Sequence, residues 1–521
     1  MRGLKACLWI VVAVALGGCG VNPVTGKQEI QFISESQEVA LGEKNYAPTR
    51  QSEGGDLTVM PELTAYVNEV GQKLAAVADR RLPYEFVVLN NSTPNAWALP
   101  GGKIAVNRGL LTELDNEAEL AAVLGHEIVH AAARHGAKAQ ERGTLMQVGL
   151  AAAQIGAAIG GIDRTAANLA IQGAGAGAQM IQHKYGREQE LESDRYGMRY
   201  MKAAGYDPWG AVTLQETFVR LAGNSARNQG WLEGLFASHP PSAERVAQNR
   251  LIAGELGRGG DLGAERYAER TRSLRATKPA YDAYDQAIAA ARKKDYAGAH
   301  TLAAKAVSLL PGEGRFHELQ GELALAEKKP RAAIPHFDRA MDLNPGYFAS
   351  WLGAGVAQLK AGDKALAERY LARSAELLPT APAAYYLGNI ARERGDENKA
   401  LSYYRAASQS RSAAGQAAAA ELVKLDLPRN PGNYVAASGR FDHAGRLFAL
   451  VQNRSPVPLR DVQITPVLVD RAGRIVEQAA SLRLREVLAP GAQTTVATGI
   501  GLTPEQAPAL RFRIDGARIA D

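Results

Sequence analysis

The chain changes its hydrophobic rhythm several times from one end to the other. Behind Arg2 and Lys5 comes an uncharged, mostly apolar run from Ala6 to Gly18. It is too short to span a bilayer and has the form of a secretory signal. Residues 19 to about 270 then mix helix and strand periods. Within them, Glu117 to His126 is rich in helix formers and apolar at helical spacing, which predicts a helix. Residues 278–411 are helical and repetitive, and Pro428 to Asn433 reads as a linker. Residues 434–521 alternate with period two: Leu482 and Leu484 alternate with Arg483 and Arg485, and Val462 and Ile464 flank Gln463. Turn signals at Ser455-Pro456, Asp470 to Gly473 and Pro490-Gly491 complete the pattern of a small β-sandwich. The expected organisation is a signal at 1–18, a mixed domain at 19–270, helical repeats at 278–411 and a β-domain at 434–521.

The repeat has a measurable period. Pro311, Pro345 and Pro379 are 34 residues apart, as are Ala299, Ala333 and Ala367, and Gly321 and Gly355. After Pro379 the phase slips by one residue, to Gly388, Ala400, Tyr404 and Ala407. A 34-residue period of paired helices ending in Pro resembles the tetratricopeptide repeat, whose stacked units form a groove suited to peptides or partner proteins.

Composition narrows the function. The net charge is +6 and no Lys/Arg block marks a nucleic-acid footprint, so no nucleic-acid partner is expected. Cys7 and Cys19 are the two cysteines, and Cys7 would leave with the signal. A transition-metal site in the remaining chain must therefore use His and carboxylates.

His126 and His130 provide such a site. Four residues apart on a helix, their imidazoles share a face and reach one ion. Glu127, next to the first ligand, is placed to take a proton from water beside the metal. A catalytic zinc needs a third protein ligand on another element. Glu188, Glu190, Glu192 and Asp194, in a second helical stretch, compete for that role, and spacing does not choose among them. His135, five residues past His130, falls off the ligand face of a continued helix and reads as structural. His183 is a weaker ligand candidate. The charge-free segment Thr144 to Ile162 and the low-charge run Ala166 to Gln182 read as a buried or flap-like helical hairpin near the site, or as a membrane-touching gate.

The segments His126-Glu-Ile-Val-His130 and Glu190-Leu-Glu-Ser-Asp194 resemble the M48 metallopeptidases. The resemblance implies a mostly helical zincin-like domain within an α+β multidomain chain, and one Zn2+. It makes Glu190 the third zinc ligand and Asp194 the carboxylate that braces a ligand histidine. Glu188 and Glu192 are then left as solvated helix face. Asn22-Pro-Val-Thr-Gly26 matches exported members of the family. Asn95-Ala-Trp-Ala98, leading to the turn Pro100-Gly-Gly102, matches its strand-turn-strand. An edge strand there would align an extended substrate through Asn95, Ala96, Trp97 and Ala98. The family usually has Phe where this chain has Trp97. Ser238-His239 to Arg245 matches a further motif, which implies that His239 and Arg245 approach the site and act on the substrate oxyanion or on zinc as a gate.

Leu16-Gly-Gly-Cys19 resembles the lipobox of bacterial lipoproteins. It implies lipid on Cys19, and Gly20 implies an outer-membrane anchor with the body in the periplasm. The whole plan is similar to that of the periplasmic peptidase–chaperones of outer-membrane quality control. The expected partners are polypeptide substrates, outer-membrane assembly proteins bound through the repeats, and the membrane through its lipid. The leading expectation is a lipid-anchored metalloendopeptidase. The alternative is a chaperone or assembly scaffold with a latent protease site.

Overall fold

The computed structural model describes residues 19–141, 185–223, 239–443, 446–503 and 506–520. The expected signal, the Gly/Ala-rich segment and His183 lie outside them. Two compact units form, one ending at Ser350 and the other beginning at Trp351.

The first unit opens with a hairpin of β1 (Cys19–Val21) and β2 (Gln28–Ile30). Asn22 turns the chain there, its fully buried side chain accepting from the backbone N–H of Val24 at 2.9 Å and of Thr25 at 3.2 Å. Helices α1 (Glu35–Ser52) and α2 (Pro61–Ala75) follow. Ser34 and Gln37 form a capping box on α1, and Pro61 starts α2 where a missing N–H costs nothing. A three-stranded sheet comes next: β3 (Glu85–Leu89), β4 (Ala96–Leu99) and β5 (Lys103–Asn107), in the order β3–β5–β4. β3 runs parallel to β5 and β4 antiparallel, closed by Gly101 and Gly102 with φ of 79° and 86°, a turn suited to glycine. Then follow the short α3 (Arg108–Leu111), α4 (Glu117–Ala132), α5 (Arg187–Ala203), α6 (Trp209–Gly223) and α7 (Ala243–Leu256).

Helix α4 is the axis of this unit, with all 16 of its residues buried. Its Leu120, Leu124 and Ile128 share one core with Val67 and Leu74 of α2, Val88 and Val106 of the sheet, and Met198 and Met201 of α5. Each such side chain contributes about 1.5–3 kcal/mol on burial.

The repeats begin after α8 (Ala264–Arg270). They pair α9 (Arg272–Arg292) with α10 (Tyr296–Leu309), α11 (Gly314–Ala326) with α12 (Pro330–Leu343), α13 (Phe348–Ala361) with α14 (Lys364–Leu377) and α15 (Ala381–Glu393) with α16 (Glu397–Ser408). The periodic glycines mark where paired helices touch. A Cβ on Gly321 would stand 2.8 Å from the Phe337 ring, one on Gly355 2.7 Å from Leu371, and one on Gly388 2.6 Å from the Tyr404 ring. The periodic alanines 299, 333, 367 and 400 are fully buried.

In the second unit, α17 (Ala413–Asp426) leads into the strands. The segment that reads as a linker is pinned: Asp426 accepts from Asn430 at 2.9 Å, Asn433 at 3.1 Å and Tyr434 at 2.8 Å. Two open sheets follow. One orders β6 (Val435–Phe441), β7 (Arg446–Asn453) and β11 (Gln493–Gly501) with β7 in the centre. The other sets β8 (Leu459–Val469) between β10 (Leu482–Leu484) and β12 (Leu510–Ile519), with β9 (Ile475–Gln478) also on β8. Leu482 lies opposite Ile464, and Leu484 opposite Val462. These residues join Ala449 and Val451 of the first sheet, and Val423 of α17, in one core.

Candidate active site

Helix α4 starts at Asn116, whose side chain accepts from the Glu119 N–H at 3.0 Å. Its first residue, Glu117, is buried and held by three partners from distant segments. The Tyr66 hydroxyl donates at 2.7 Å, the Tyr206 hydroxyl at 2.9 Å and the Arg266 guanidinium at 2.6 and 2.8 Å. The helix is thus fixed at its N-terminal end two turns before the histidines.

One i,i+4 step brings the Nε2 atoms of His126 and His130 to 3.0 Å from each other. The third group comes from α5, which crosses α4 at a pair of glycines. A Cβ on Gly125 would stand 3.1 Å from the Gly197 carbonyl oxygen, and one on Gly197 3.0 Å from the Gly125 backbone. That close crossing carries Glu190 to 3.4 Å from His130 Nε2 and 3.5 Å from His126 Nε2. A tetrahedral cation bound at about 2.0–2.1 Å sets neighbouring donors about 3.3 Å apart, so this set fits one small cation. His239 joins the group, its Nδ1 3.0 Å from Glu190 and 3.3 Å from His126 Nε2. Two imidazoles and a carboxylate, with a third imidazole at hand, make a donor set that can hold a metal.

Asp194, one turn beyond Glu190, faces the far nitrogen of His126, with Nδ1 to Oδ1 at 2.9 Å. Arg245 of α7 grips the same carboxylate with two N–H groups, at 2.7 and 2.8 Å, and its Nη1 lies 2.8 Å from Glu190. Glu127 is 3% exposed and its Oε1 lies 3.5 Å from His239 Nε2, while its Oε2 has no hydrogen-bond partner. An unpartnered carboxylate oxygen buried beside the donor set is the group that a proton-transfer role requires.

The titration behaviour follows from burial and charge. Burial pushes the Glu127 carboxyl up, partly offset by His239 and His126. Burial also pushes Glu190 and Asp194 up, but the surrounding imidazoles hold Glu190 well below its ordinary value and Arg245 holds Asp194 below its own. Burial disfavours a proton on His126, yet Glu190 and Asp194 prevail and raise the imidazole to about 9. His130 is held well below the ordinary histidine value, chiefly by burial.

The edge-strand expectation divides residue by residue. β4 pairs with β5 on one side, and among the described residues no strand pairs with the other. Ala96 lines a pocket with His126, Glu127, His239 and Arg245. Trp97 points to the opposite face, edge-on to Tyr46 with ring centroids 6.2 Å apart. Asn95 is buried and its Oδ1 has no partner.

One reading needs correction. Glu192 is not solvated helix face: its side chain is 19% exposed and bonded to His135. Glu188 is exposed as expected. His135 stays outside the donor set, as its position off the shared face predicts, yet it packs directly against His130, because α4 does not continue through it. The helix ends at Ala132, and Arg134 takes a left-handed φ of 62° that returns His135 to the side of His130. Tyr185 was also missed; its ring lies 3.9 Å from the His130 ring, centroid to centroid. No spacing rule finds these residues.

Comparison with known proteins agrees with this geometry. The model of peptidase family M48 matches residues 61–252, and a tetratricopeptide-repeat model matches residues 324–389. The chain is 28% identical over 352 residues to the beta-barrel assembly-enhancing protease of Yersinia pestis, covering 61% of this chain and 69% of that protein. It is 27% identical over 354 residues to the protein of the same name from Escherichia coli K12, covering 62% and 70%. It is 32% identical over 255 residues to the mitochondrial metalloendopeptidase OMA1 of Schizosaccharomyces pombe, covering 46% of this chain and 71% of that protein. With the donor set in place and a relative of that identity and coverage, the chain is a metalloendopeptidase that belongs to peptidase family M48 and carries tetratricopeptide repeats behind its peptidase domain.

Proposed function

We propose that this chain is a zinc endopeptidase that cuts misfolded or misassembled envelope proteins. His126, His130 and Glu190 hold the zinc. The observation that carries this reading is the convergence of those three donors beside the buried, unpartnered oxygen of Glu127. Bound zinc supplies Lewis acidity toward a water and the scissile carbonyl. Glu127 takes the water proton and passes it to the leaving amine; its raised affinity for a proton suits that task. Asp194 fixes the tautomer of His126, so that Nε2 offers its lone pair.

His239 and Arg245 divide their work. His239 lies where a fourth donor would, against Glu190 and His126, and serves as a gate that then turns to the substrate oxyanion. Arg245 keeps Asp194 ionised and holds both carboxylates in place through its contacts with Asp194 and Glu190. An extended substrate adds to the open side of β4 along Asn95 to Ala98.

Residues 19–270 carry out hydrolysis, and the repeats of residues 278–411 recruit polypeptides, among them outer-membrane assembly proteins. Lipid on Cys19 tethers the protein to the outer membrane, facing the periplasm. Two relatives are named for enhancing β-barrel assembly, which supports envelope proteins as substrates.

The test is cleavage of casein and of fluorogenic peptides by the wild type, with and without a chelator, beside Glu127→Gln. Chelation abolishes cleavage and zinc restores it. Glu127→Gln retains bound metal and loses about 10²–10⁴-fold in rate. Full activity of a metal-loaded Glu127→Gln protein overturns the assignment. Retention of the cellular phenotype by that variant makes binding through the repeats the main role.

A further inference from the structure

We propose that His135 is the positioning residue for His130, backed by Glu192 and by Asn22 from the extreme N-terminal hairpin. This inference rests on the reading of His130 as a metal ligand.

Three observations converge on it. The first is a chain of hydrogen bonds. His130 Nδ1 lies 2.9 Å from His135 Nδ1, and His135 Nε2 lies 3.2 Å from Glu192 Oε1. Asn22 Nδ2 donates to the same Glu192 oxygen at 3.5 Å and to Glu29 at 3.2 Å. Both histidines are 1% exposed and Asn22 is fully buried, so water does not substitute for these partners.

The protons of this chain have one consistent order. To present Nε2 to a cation, His130 must carry its hydrogen on Nδ1. That N–H then donates to Nδ1 of His135, which must be bare. His135 carries its own hydrogen on Nε2 and donates it to Glu192. The carboxylate therefore fixes the tautomer of His130 through an intervening imidazole. Asp194 does the same for His126 directly.

The second observation is backbone strain. His135 reaches its place only because Arg134 adopts φ of 62°, a conformation disfavoured for a side chain of its size. The strain is held by Arg134 itself. Its Nε donates to the fully buried Glu38 at 2.9 Å, and its Nη2 donates to the Ile33 carbonyl. Glu38 is also gripped by two N–H groups of Arg80, at 2.9 and 3.0 Å. A buried network of two arginines and a glutamate thus sustains the bend that delivers His135.

The third is the origin of the last member. Asn22 lies three residues past Cys19 in the sequence, in the turn between β1 and β2. The hairpin next to the expected tether is therefore part of the support of the metal site. Lys138, one turn past His135, reaches Glu29 of that hairpin at 2.5 Å and closes the bracket.

The experiment measures metal affinity of the purified full chain by zinc competition against a chromogenic chelator, and the melting temperature of the metal-free protein. His135→Ala is expected to weaken zinc about 10–100-fold while the metal-free melting temperature changes little. His135→Asn, whose amide oxygen can accept from His130 in place of Nδ1, is expected to recover most of the affinity. Glu192→Gln and Asn22→Ala are expected to cost progressively less. In the double variant His135→Ala/Glu192→Gln the losses are expected not to add, because Glu192 acts through His135.

If His135→Ala lowers the metal-free melting temperature and binds zinc as tightly as the wild type, the residue is structural and the inference is wrong. If His135→Ala does not fold, His135→Asn and Glu192→Gln decide by the same two measurements; wild-type affinity in Glu192→Gln together with a lowered metal-free melting temperature overturns the relay. If His130→Ala binds zinc as tightly as the wild type, the reading of His130 as a ligand fails first, and the inference falls with it.

Discussion

The metal-site region and the helical repeats follow opposite rules for polar groups. In α4, Glu117, Glu119, His126, Glu127 and His130 are all buried, and each has at least one partner from a segment far away in sequence. In the repeats the fully buried positions are mostly alanine, with Gly321, Gly355 and Gly388 at the contacts between paired helices. From Trp351 onward, charges in the repeats pair at the surface with the next repeat, as Lys364 does with Glu393 and Arg394 with Glu368, whereas Glu313 and Glu318 in the earlier repeat are buried. Packing of small residues is set by neighbours in the chain and repeats itself. A neutralised interior charge depends on a long-range match that does not repeat along the chain.

The sharpest break of this contrast removes the carboxylate proposed to hold the metal. Glu190→Gln should weaken zinc at least about 100-fold and abolish peptide cleavage while the repeats melt normally; metal analysis and differential scanning calorimetry read the two effects. The reciprocal change is Gly355→Val. Its side chain must displace Leu371, which should destabilise the second unit by about 1–3 kcal/mol and leave cleavage of short peptides intact. Loss of short-peptide cleavage in Gly355→Val would show that the two regions are not separable.

Glu117→Gln probes the long-range rule without touching a ligand. It should cost about 2 kcal/mol, because charge-assisted bonds to Arg266 and two tyrosines are weakened. Burial pushes the Glu117 carboxyl up, but Arg266, Tyr66 and Tyr206 overcome it and hold it below its ordinary value. The folded value therefore lies below the unfolded one. Its stabilisation is present above the unfolded carboxylate pKa of about 4.3 and is lost as the pH falls through the folded value. The gap in melting temperature between wild type and Glu117→Gln should be full at pH 7 and close in acid.

The smallest effect belongs to the repeats. Asp295, Asp363 and Asp396 cap α10, α14 and α16, accepting from the N–H three residues on at 3.0, 2.9 and 3.0 Å. Asp363→Ala should cost about 1 kcal/mol by chemical denaturation. At the equivalent position of α12 the chain has Lys329, which makes no side-chain cap, so Lys329→Asp should stabilise by a similar amount.

This contrast also explains what the sequence reveals and what it hides. The repeats are legible from Gly321, Gly355 and the prolines, because one local contact recurs at a fixed spacing. The strands around Val462 and Leu482 are legible for the same reason, since their alternation matches the register in which they pair. His126 and His130 are legible because a helix turn alone brings them together. Glu190 was separable from its three acidic neighbours only through family resemblance, since its selection depends on where α5 crosses α4. The contact of His135 with His130 was hidden because it depends on Arg134, where the backbone reverses hand. Glu192 was misjudged, since a carboxylate reads as solvated until its partner is known. The reading fails wherever a contact joins distant segments with no period.

The crossing of α4 and α5 at Gly125 and Gly197 has a consequence for how this centre can change over time. The bite of the chelate is set by two missing methyl groups, because the helices rest backbone on backbone there. Adding a single carbon at either position acts as a shim that shifts Glu190 by tenths of an ångström from both imidazoles while the proposed donors stay chemically intact. Metal preference in this fold is thus open to drift through residues that never touch the ion.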